Sequence, residues 1–150
     1  MISINAHYLP HDGKMLLLAG VCEYDTNSIV CLSHVLRSDN PLTINGQISG
    51  LNIVEYAAQT AAVHLGLLHF DSAGQSQGSA GVITTIRNVN LPCEVLPLNF
   101  PLTIQASCRA QTKQGCRYRF VVSSEATPMG DGELTIAFQS KLEWSEQTPS

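Results

Sequence analysis

Residues 50–68 contain no proline, are rich in alanine and leucine, and run far longer than a strand, so they predict one long helix. Glu55 is the single charged residue of this stretch, whereas a solvated helix face normally carries several. The polar members share about half of the helical wheel and are Asn52, Glu55, Tyr56, Gln59, Thr60 and His64. Most of this helix is therefore expected to be buried.

Strand-like segments stand on both sides of the helix. Residues 15–24 and 29–37 are apolar and flank a turn-forming cluster at 25–28, which predicts a β-hairpin. Asn45-Gly46 predicts a sharp turn before the helix, and the Gly/Ser/Gln-rich residues 71–81 predict a surface loop after it. Strands are then expected at 82–91, 102–111, 116–124 and 133–144, with a turn at 129–132 before the last one.

This order of elements predicts an α+β fold. A long apolar helix in such a chain can bury itself only against the sheet, so the antiparallel strands should wrap around it, as in the hot-dog arrangement. With 150 residues, the chain is expected to be a single domain over 1–150. One sheet around one helix leaves an edge strand unpaired, so we expect a dimer.

Composition excludes several classes of function. The net charge is −4, and no basic run or interleaved aromatic stripe offers a footprint for nucleic acid. The apolar run at residues 15–22 is too short to span a membrane. The five cysteines form no C-x-x-C pair, and no histidine or carboxylate pairing suggests a metal, so we expect neither a metal nor a cofactor. The odd number of cysteines does not indicate a disulfide framework, so we expect a reducing, cytoplasmic setting.

Two motifs carry a resemblance to a known family. Leu9-Pro10-His11, followed by the apolar residues 15–18, is similar to the opening of the FabZ-type 3-hydroxyacyl-acyl-carrier-protein dehydratases of the hot-dog superfamily. Residues 50–59 resemble the helix signature of that family: a glycine, an acidic residue five positions later, and a glutamine one turn beyond it. The short loop at residues 45–50 and the helix segment 61–66 are closest to the ApeP-like branch of aryl-polyene biosynthesis.

The resemblance implies that the chain eliminates water from a 3-hydroxyacyl thioester, carried on an acyl carrier protein, to give a 2-enoyl thioester. It implies catalytic roles for Glu55 and His11 and substrate-binding roles for Gly50, Gln59 and Asn45. It also implies a homodimer or a heterodimer with a related hot-dog subunit. Each residue has a plainer interpretation: an exposed glutamate, an accommodated histidine, an N-cap glycine, a core amide and a turn asparagine.

The chain departs from the family at one point. FabZ-type enzymes use a loop histidine as the base, and no histidine lies between Ser38 and Gly50. The base is then His11, His34 or a residue of a second subunit, or the chain is a non-catalytic subunit that supports an active partner. A hot-dog thioesterase, in which Glu55 activates water, is a third possibility. Half of the basic residues surround one hairpin and could dock an acidic carrier protein or simply be solvated; they are Arg109, Lys113, Arg117 and Arg119.

Overall fold

A computed structural model describes residues 1–3, 16–73 and 80–139. In chain order the elements are β1 (Ile2–Ser3), β2 (Leu18–Tyr24), β3 (Ser28–Ser33), a 3-10 turn (Gly50–Asn52), α1 (Ile53–Ala73), β4 (Ala80–Asn90), β5 (Thr103–Gln111), β6 (Gly115–Ser124) and β7 (Thr127–Gln139). The strands form one seven-stranded sheet in the order β1-β2-β3-β5-β6-β7-β4, and every neighbouring pair is antiparallel.

The sheet curls around α1, which packs against β2, β3, β5, β6 and β7. The core lies between the helix and the inner sheet face, because alternate residues of each strand point toward the helix. On β6, Tyr118, Phe120 and Val122 are completely buried, and the residues between them face outward. This is the hot-dog fold, as the sequence predicted.

Helix α1 is as buried as its lack of charge suggested. Ser49 caps the preceding 3-10 turn, with its Oγ accepting a hydrogen bond from the Leu51 N–H at 3.3 Å. No residue from 52 to 68 is exposed. The helix ends at Ala73, beyond the expected end at residue 68, so the expected loop begins later than residue 71.

The prediction of the last turn is wrong. Residues 129–132 lie within β7, which begins at Thr127. The reversal between β6 and β7 is made instead by Glu125 and Ala126, whose φ angles of 50° and 66° are left-handed. Neither residue type signals such a turn in a sequence, because glycine and asparagine are the usual occupants.

The glycines of β7 are needed for packing. A Cβ on Gly130 would lie 2.7 Å from the Asn90 carbonyl oxygen, and one on Gly132 would lie 2.8 Å from Cζ of Phe120. Both distances are shorter than carbon contacts allow, so a side chain at either position would push neighbouring atoms away. The Met-Gly-Asp-Gly sequence therefore marks a close approach between elements.

Two connections meet beside the start of the helix. In the 91–102 connection, Leu96 donates its N–H to the Ile48 carbonyl at 2.8 Å, and Glu94 accepts from the Gly50 N–H at 2.8 Å. The segment before the helix is also tied to α1, since Asn40 Nδ2 donates to the Tyr56 hydroxyl at 3.2 Å. These bonds fix the backbone from which the first turn of α1 rises.

Candidate active site around Glu55

Glu55 lies in the first turn of α1 and is half-buried. One of its carboxylate oxygens, Oε1, accepts a hydrogen bond from Nε2 of Gln59, one turn later, at 3.1 Å. Residues four apart on a helix share a face, so the spacing seen in the sequence is what brings these two groups together. The glutamate is thus held by a neighbour on its own helix.

Gln59 is itself fixed from outside the helix. It is 2% exposed, and its Oε1 accepts a hydrogen bond from the Leu17 backbone N–H at 3.0 Å. A backbone N–H can only donate, so the amide oxygen must face Leu17 and the amide NH₂ must face Glu55. Leu17, Gln59 and Glu55 therefore form a hydrogen-bond chain, which we call the Glu55 relay, that orients the carboxylate.

The Glu55 relay gives Gln59 a positioning geometry, because both ends of its amide contact protein groups. No sequence motif marks the Leu17 contribution, since it comes from the main chain and every residue type except proline carries that donor. The binding of substrate by Gln59 stays a prediction. Its hydrogen bonds place the amide between the Leu17 main chain and the Glu55 carboxylate.

Gly50 was predicted to begin the helix; it begins the 3-10 turn before α1 instead, Ser49 is the N-cap of that turn, and the Gly50 N–H is used within the protein by the Glu94 carbonyl. Its neighbours are also engaged, because the Leu51 N–H donates to Ser49 Oγ and the Asn52 N–H to the Ser49 carbonyl. A Cβ on Gly50 would collide with the Cys93 carbonyl oxygen, which explains the glycine by packing. A role for Gly50 as donor to a thioester oxygen stays a prediction. It requires the Gly50 N–H to leave the Glu94 carbonyl and bind the thioester oxygen instead.

Asn45 occupies the tight turn that its sequence signals. Asn45 and Gly46 have φ angles of 53° and 78°, and Ile44 and Gln47 exchange backbone hydrogen bonds of 2.8 and 3.1 Å across the turn. The side chain of Asn45 is exposed. The turn accounts for the residue, and its contact with a substrate stays a prediction.

Two histidines were predicted as possible bases. His11 lies outside the described residues. His34 follows β3, its side chain is exposed, and its N–H donates to the Leu17 carbonyl at 3.1 Å. The main chain of His34 thus neighbours the residue that anchors the Glu55 relay.

Within residues 1–3, 16–73 and 80–139, no group of three or more histidine, cysteine, aspartate or glutamate side chains is placed to hold a metal ion. In the basic hairpin, Arg119 faces Asp131 with 3.5 Å between Nη2 and Oδ1, whereas Arg109, Lys113 and Arg117 are exposed. No helix in the described part of the chain is long and apolar enough to cross a membrane.

Glu55 is thus a half-buried carboxylate on the central helix of a hot-dog fold. The family model of the ApeP-like dehydratases matches residues 4–146, so the chain belongs to the ApeP-like dehydratase family. None of the curated proteins matches the chain significantly.

Solved structures share the fold. The dehydratase heterocomplex ApeI:P from Xenorhabdus doucetiae is similar with a TM-score of 0.81 and 23% identity, covering 93% of each chain. A hypothetical thioesterase with coenzyme A from Streptococcus pneumoniae has a TM-score of 0.58 and 16% identity, covering 80% of this chain and 84% of its own. The PaaI protein of the Escherichia coli phenylacetic acid degradation operon has a TM-score of 0.57 and 14% identity, covering 79% and 81%.

Proposed function

We propose that the chain takes part in eliminating water from a 3-hydroxyacyl thioester carried on an acyl carrier protein, giving a 2-enoyl thioester, and that Glu55 is a catalytic residue of this reaction. The observation that carries the proposal is the Glu55 relay, in which the completely buried amide of Gln59 holds a half-buried carboxylate. Membership of the ApeP-like dehydratase family supports the reaction class.

Elimination of water needs two proton transfers. A base removes the C2 proton, the electron pair forms the C2–C3 double bond, and the C3–O bond breaks as the hydroxyl receives a proton and leaves as water. Glu55, or a water that it holds, supplies the proton to the leaving hydroxyl. The C2 proton goes to a second group, for which His11, His34 and a residue of the partner subunit are the candidates.

The thioester carbonyl gains negative charge as the C2 proton departs. The positive end of the α1 dipole lies at the turn that begins with Gly50, so a carbonyl placed there is stabilised as it becomes enolate-like. This placement also sets the thioester within the reach of the first helical turn, where Glu55 lies.

The direct test is the mass of the product. Purified chain, alone and co-expressed with its hot-dog partner, is incubated with 3-hydroxyacyl-acyl carrier protein and, in parallel, with the same acyl group on pantetheine. Loss of one water supports the dehydratase, and release of free acid would instead identify a thioesterase. Faster turnover of the protein-bound substrate supports the carrier; equal turnover of both forms would argue against it.

Glu55→Gln tests the residue. The amide keeps the shape of the side chain and removes its ionisation, so turnover should fall by about a hundredfold or more. Glu23→Gln is the matched control, because Glu23 is an exposed glutamate on β2. Unchanged turnover in Glu55→Gln, with both variants folded, would remove Glu55 from the mechanism.

A non-catalytic subunit is the second candidate. The specific observation in its favour is the absence of a histidine from residues 39–49, where FabZ-type enzymes carry their base. Co-expression separates the two functions: a heterodimer that keeps its activity when Glu55→Gln is introduced here, and loses it when the partner's acidic residue is changed, is one in which this chain only supports the partner.

We further propose that β4 forms the contact with the second subunit. It is an edge strand paired only with β7 in the described sheet, and residues 81–88 are all exposed. Ile83 and Ile86 pair with the inward-facing Ile136 and Leu134, yet they remain 39% and 47% exposed. An edge that is long and apolar on its inner face invites another strand.

Replacement of one inner-face residue tests this contact. Ile86→Lys places a charge on the exposed inner face of β4, and the assembly should shift from dimer to monomer in light-scattering chromatography. Val121→Lys is the control, because Val121 is similarly exposed at 41% but lies on the outer face of β6. If both variants dimerise like the unmodified chain, β4 is not the interface.

A further inference from the structure

His64 is a completely buried histidine in the middle of α1, and both of its ring nitrogens have partners. Nδ1 lies 2.6 Å from the Tyr118 hydroxyl on β6, and Nε2 lies 2.7 Å from the Asp25 carbonyl oxygen in the β2–β3 turn. The Tyr118 ring also meets the imidazole edge to face, with 5.6 Å between centroids and an 85° angle between planes.

These contacts determine where the proton of the neutral ring lies. A backbone carbonyl can only accept, so Nε2 of His64 carries the hydrogen and donates it to Asp25. Nδ1 is then the unprotonated nitrogen and accepts the Tyr118 O–H. A single neutral tautomer satisfies all the hydrogen bonds of this junction.

The junction joins three elements that are distant in sequence. His64 comes from α1, Tyr118 from β6, and Asp25 from the turn at the tip of the β2–β3 hairpin. That turn is firm, because the Asp25 carboxylate accepts the N–H groups of Asn27 and Ser28, each at 2.8 Å. The base of the same hairpin is held to α1 by the bond from Leu17 to Gln59.

A second proton on the imidazole would meet no ready acceptor. It must go to Nδ1, where the Tyr118 hydroxyl already points its own hydrogen, so Tyr118 would have to reverse. Burial lowers the pKa of His64 below its ordinary value, and the Asp25 carbonyl and carboxylate offset this only in part. Asp25 in the turn acts on His64 directly, Cys108 on β5 and Cys116 on β6 act on its partner Tyr118, and Cys31 on β3 contacts α1 at Thr60.

Of these groups, only the Asp25 carboxylate favours an imidazolium, and its effect on the pKa of His64 is smaller than that of burial. Burial raises the pKa of the Cys31 and Cys116 thiols to about 12 and raises the pKa of Tyr118 further, so all three are neutral. Burial also raises the pKa of Cys108. The Asp25 carboxylate is directed at its own turn amides, which lower its pKa. On α1, the nearest charged residue toward the helix start is Glu55, more than two turns away.

We propose that His64 is an acid-sensitive lock between α1 and β6: neutral, it accepts the Tyr118 hydroxyl, and one proton taken from solvent at Nδ1 breaks this bond and loosens the contact of the helix with β6, while Nε2 keeps donating to the Asp25 carbonyl. The lock rests on the junction itself and does not depend on the proposed dehydratase activity. The hydrogen bond from Leu17 to Gln59, at the other end of β2, joins two groups that do not titrate, so acid leaves this bond intact.

The first test measures stability against pH. Because the folded-state pKa is lowered, the unfolded chain binds a proton first, and stability present above about pH 6.5 is lost as the pH falls below it. As the pH falls, the unfolding constant from urea titrations should rise in the unmodified chain. For each pH unit this rise should exceed that of His64→Gln by a factor of up to about ten. Glutamine offers a neutral donor and acceptor that do not titrate.

His34→Gln is the matched control, because His34 is exposed and should give the same pH slope as the unmodified chain. Equal slopes for the unmodified chain and His64→Gln would overturn the lock. If His64→Gln does not fold, nitrogen-15 NMR of the unmodified chain decides the matter. The lock requires the Nε2–H tautomer at neutral pH and a change of the native Tyr118 amide signal as His64 titrates; an Nδ1–H tautomer, or titration without change at Tyr118, refutes it.

Discussion

Replacing Gln59 by leucine removes the centre of the Glu55 relay while keeping its volume. The Leu17 N–H then becomes a buried donor without its acceptor, which costs about 1–3 kcal/mol. Glu55 loses a hydrogen bond as well, but this carboxylate is half-buried and water can replace much of that bond. The free energy of unfolding should therefore fall by about 2 kcal/mol, or about 4–8 °C in Tm for a chain of this size.

Turnover in Gln59→Leu should fall by about ten- to a hundredfold, because the carboxylate keeps its chemistry and loses its orientation. Thr60→Val is the matched control. Thr60 is the next residue, is equally buried, and donates its hydroxyl to the Tyr56 carbonyl of its own helix at 2.9 Å. It should cost about 1 kcal/mol or less and leave turnover unchanged.

Urea unfolding and product mass spectrometry measure the two effects on the same preparations. A Gln59→Leu variant with the stability and turnover of the unmodified chain would refute the relay, since the Leu17 donor would then have no need of the amide. A loss of turnover equal in Gln59→Leu and Thr60→Val would show instead that general disturbance of the helix accounts for the effect.

Two further predictions follow from close packing and burial. Gly50→Ala should lower the free energy of unfolding by about 2–4 kcal/mol, because the new Cβ meets the Cys93 carbonyl. Gly46→Ala has open space around its Cβ but a φ of 78°, and should cost about 1–2 kcal/mol. Equal Tm values for the two variants would contradict the packing argument. Cys31 and Cys116, whose pKa values burial raises to about 12, should resist a thiol reagent at about pH 8 until the chain unfolds, while the exposed Cys22 reacts first; rapid labelling of either buried thiol in folded protein would disprove this.

The elements with clear periodicity could be predicted from the sequence. The length of the apolar stretch and its single charge predict the helix. The predicted bounds of β5 and β6 match the observed strands to within about one residue. The turn at Glu125 and Ala126 was missed because tertiary pairing forces two left-handed residues there without glycine. The glycines of β7 misled because a glycine demanded by packing looks the same in sequence as one demanded by a turn.

The candidate site was predictable only where it depends on spacing along one helix. Glu55 and Gln59 meet because they are four residues apart. The Leu17 anchor and the Glu94 carbonyl that takes the Gly50 N–H are main-chain groups brought in by the sheet and by a connection, so side-chain identity carries no trace of them. The sequence does not single out His64 among the five histidines, since its two partners lie 54 and 39 residues away in sequence.

Helix α1 is held by side-chain hydrogen bonds on the side of the β2–β3 hairpin and is more open on the side of β4. This difference bears on which group could take the C2 proton in the proposed reaction. On the hairpin side, Gln59 and His64 hold both ends of β2. On the other side, β4 lies exposed, and its end meets the start of the helix: Gly130 brings the Asn90 carbonyl and the Ile53 side chain together. A subunit that pairs with β4 therefore arrives beside the helical turn that carries Glu55, whereas the hairpin side is already occupied. A base supplied by the partner fits this open side, and a mixed dimer with Glu55 in one subunit and an intact base in the other should then regain activity that neither defective subunit has alone.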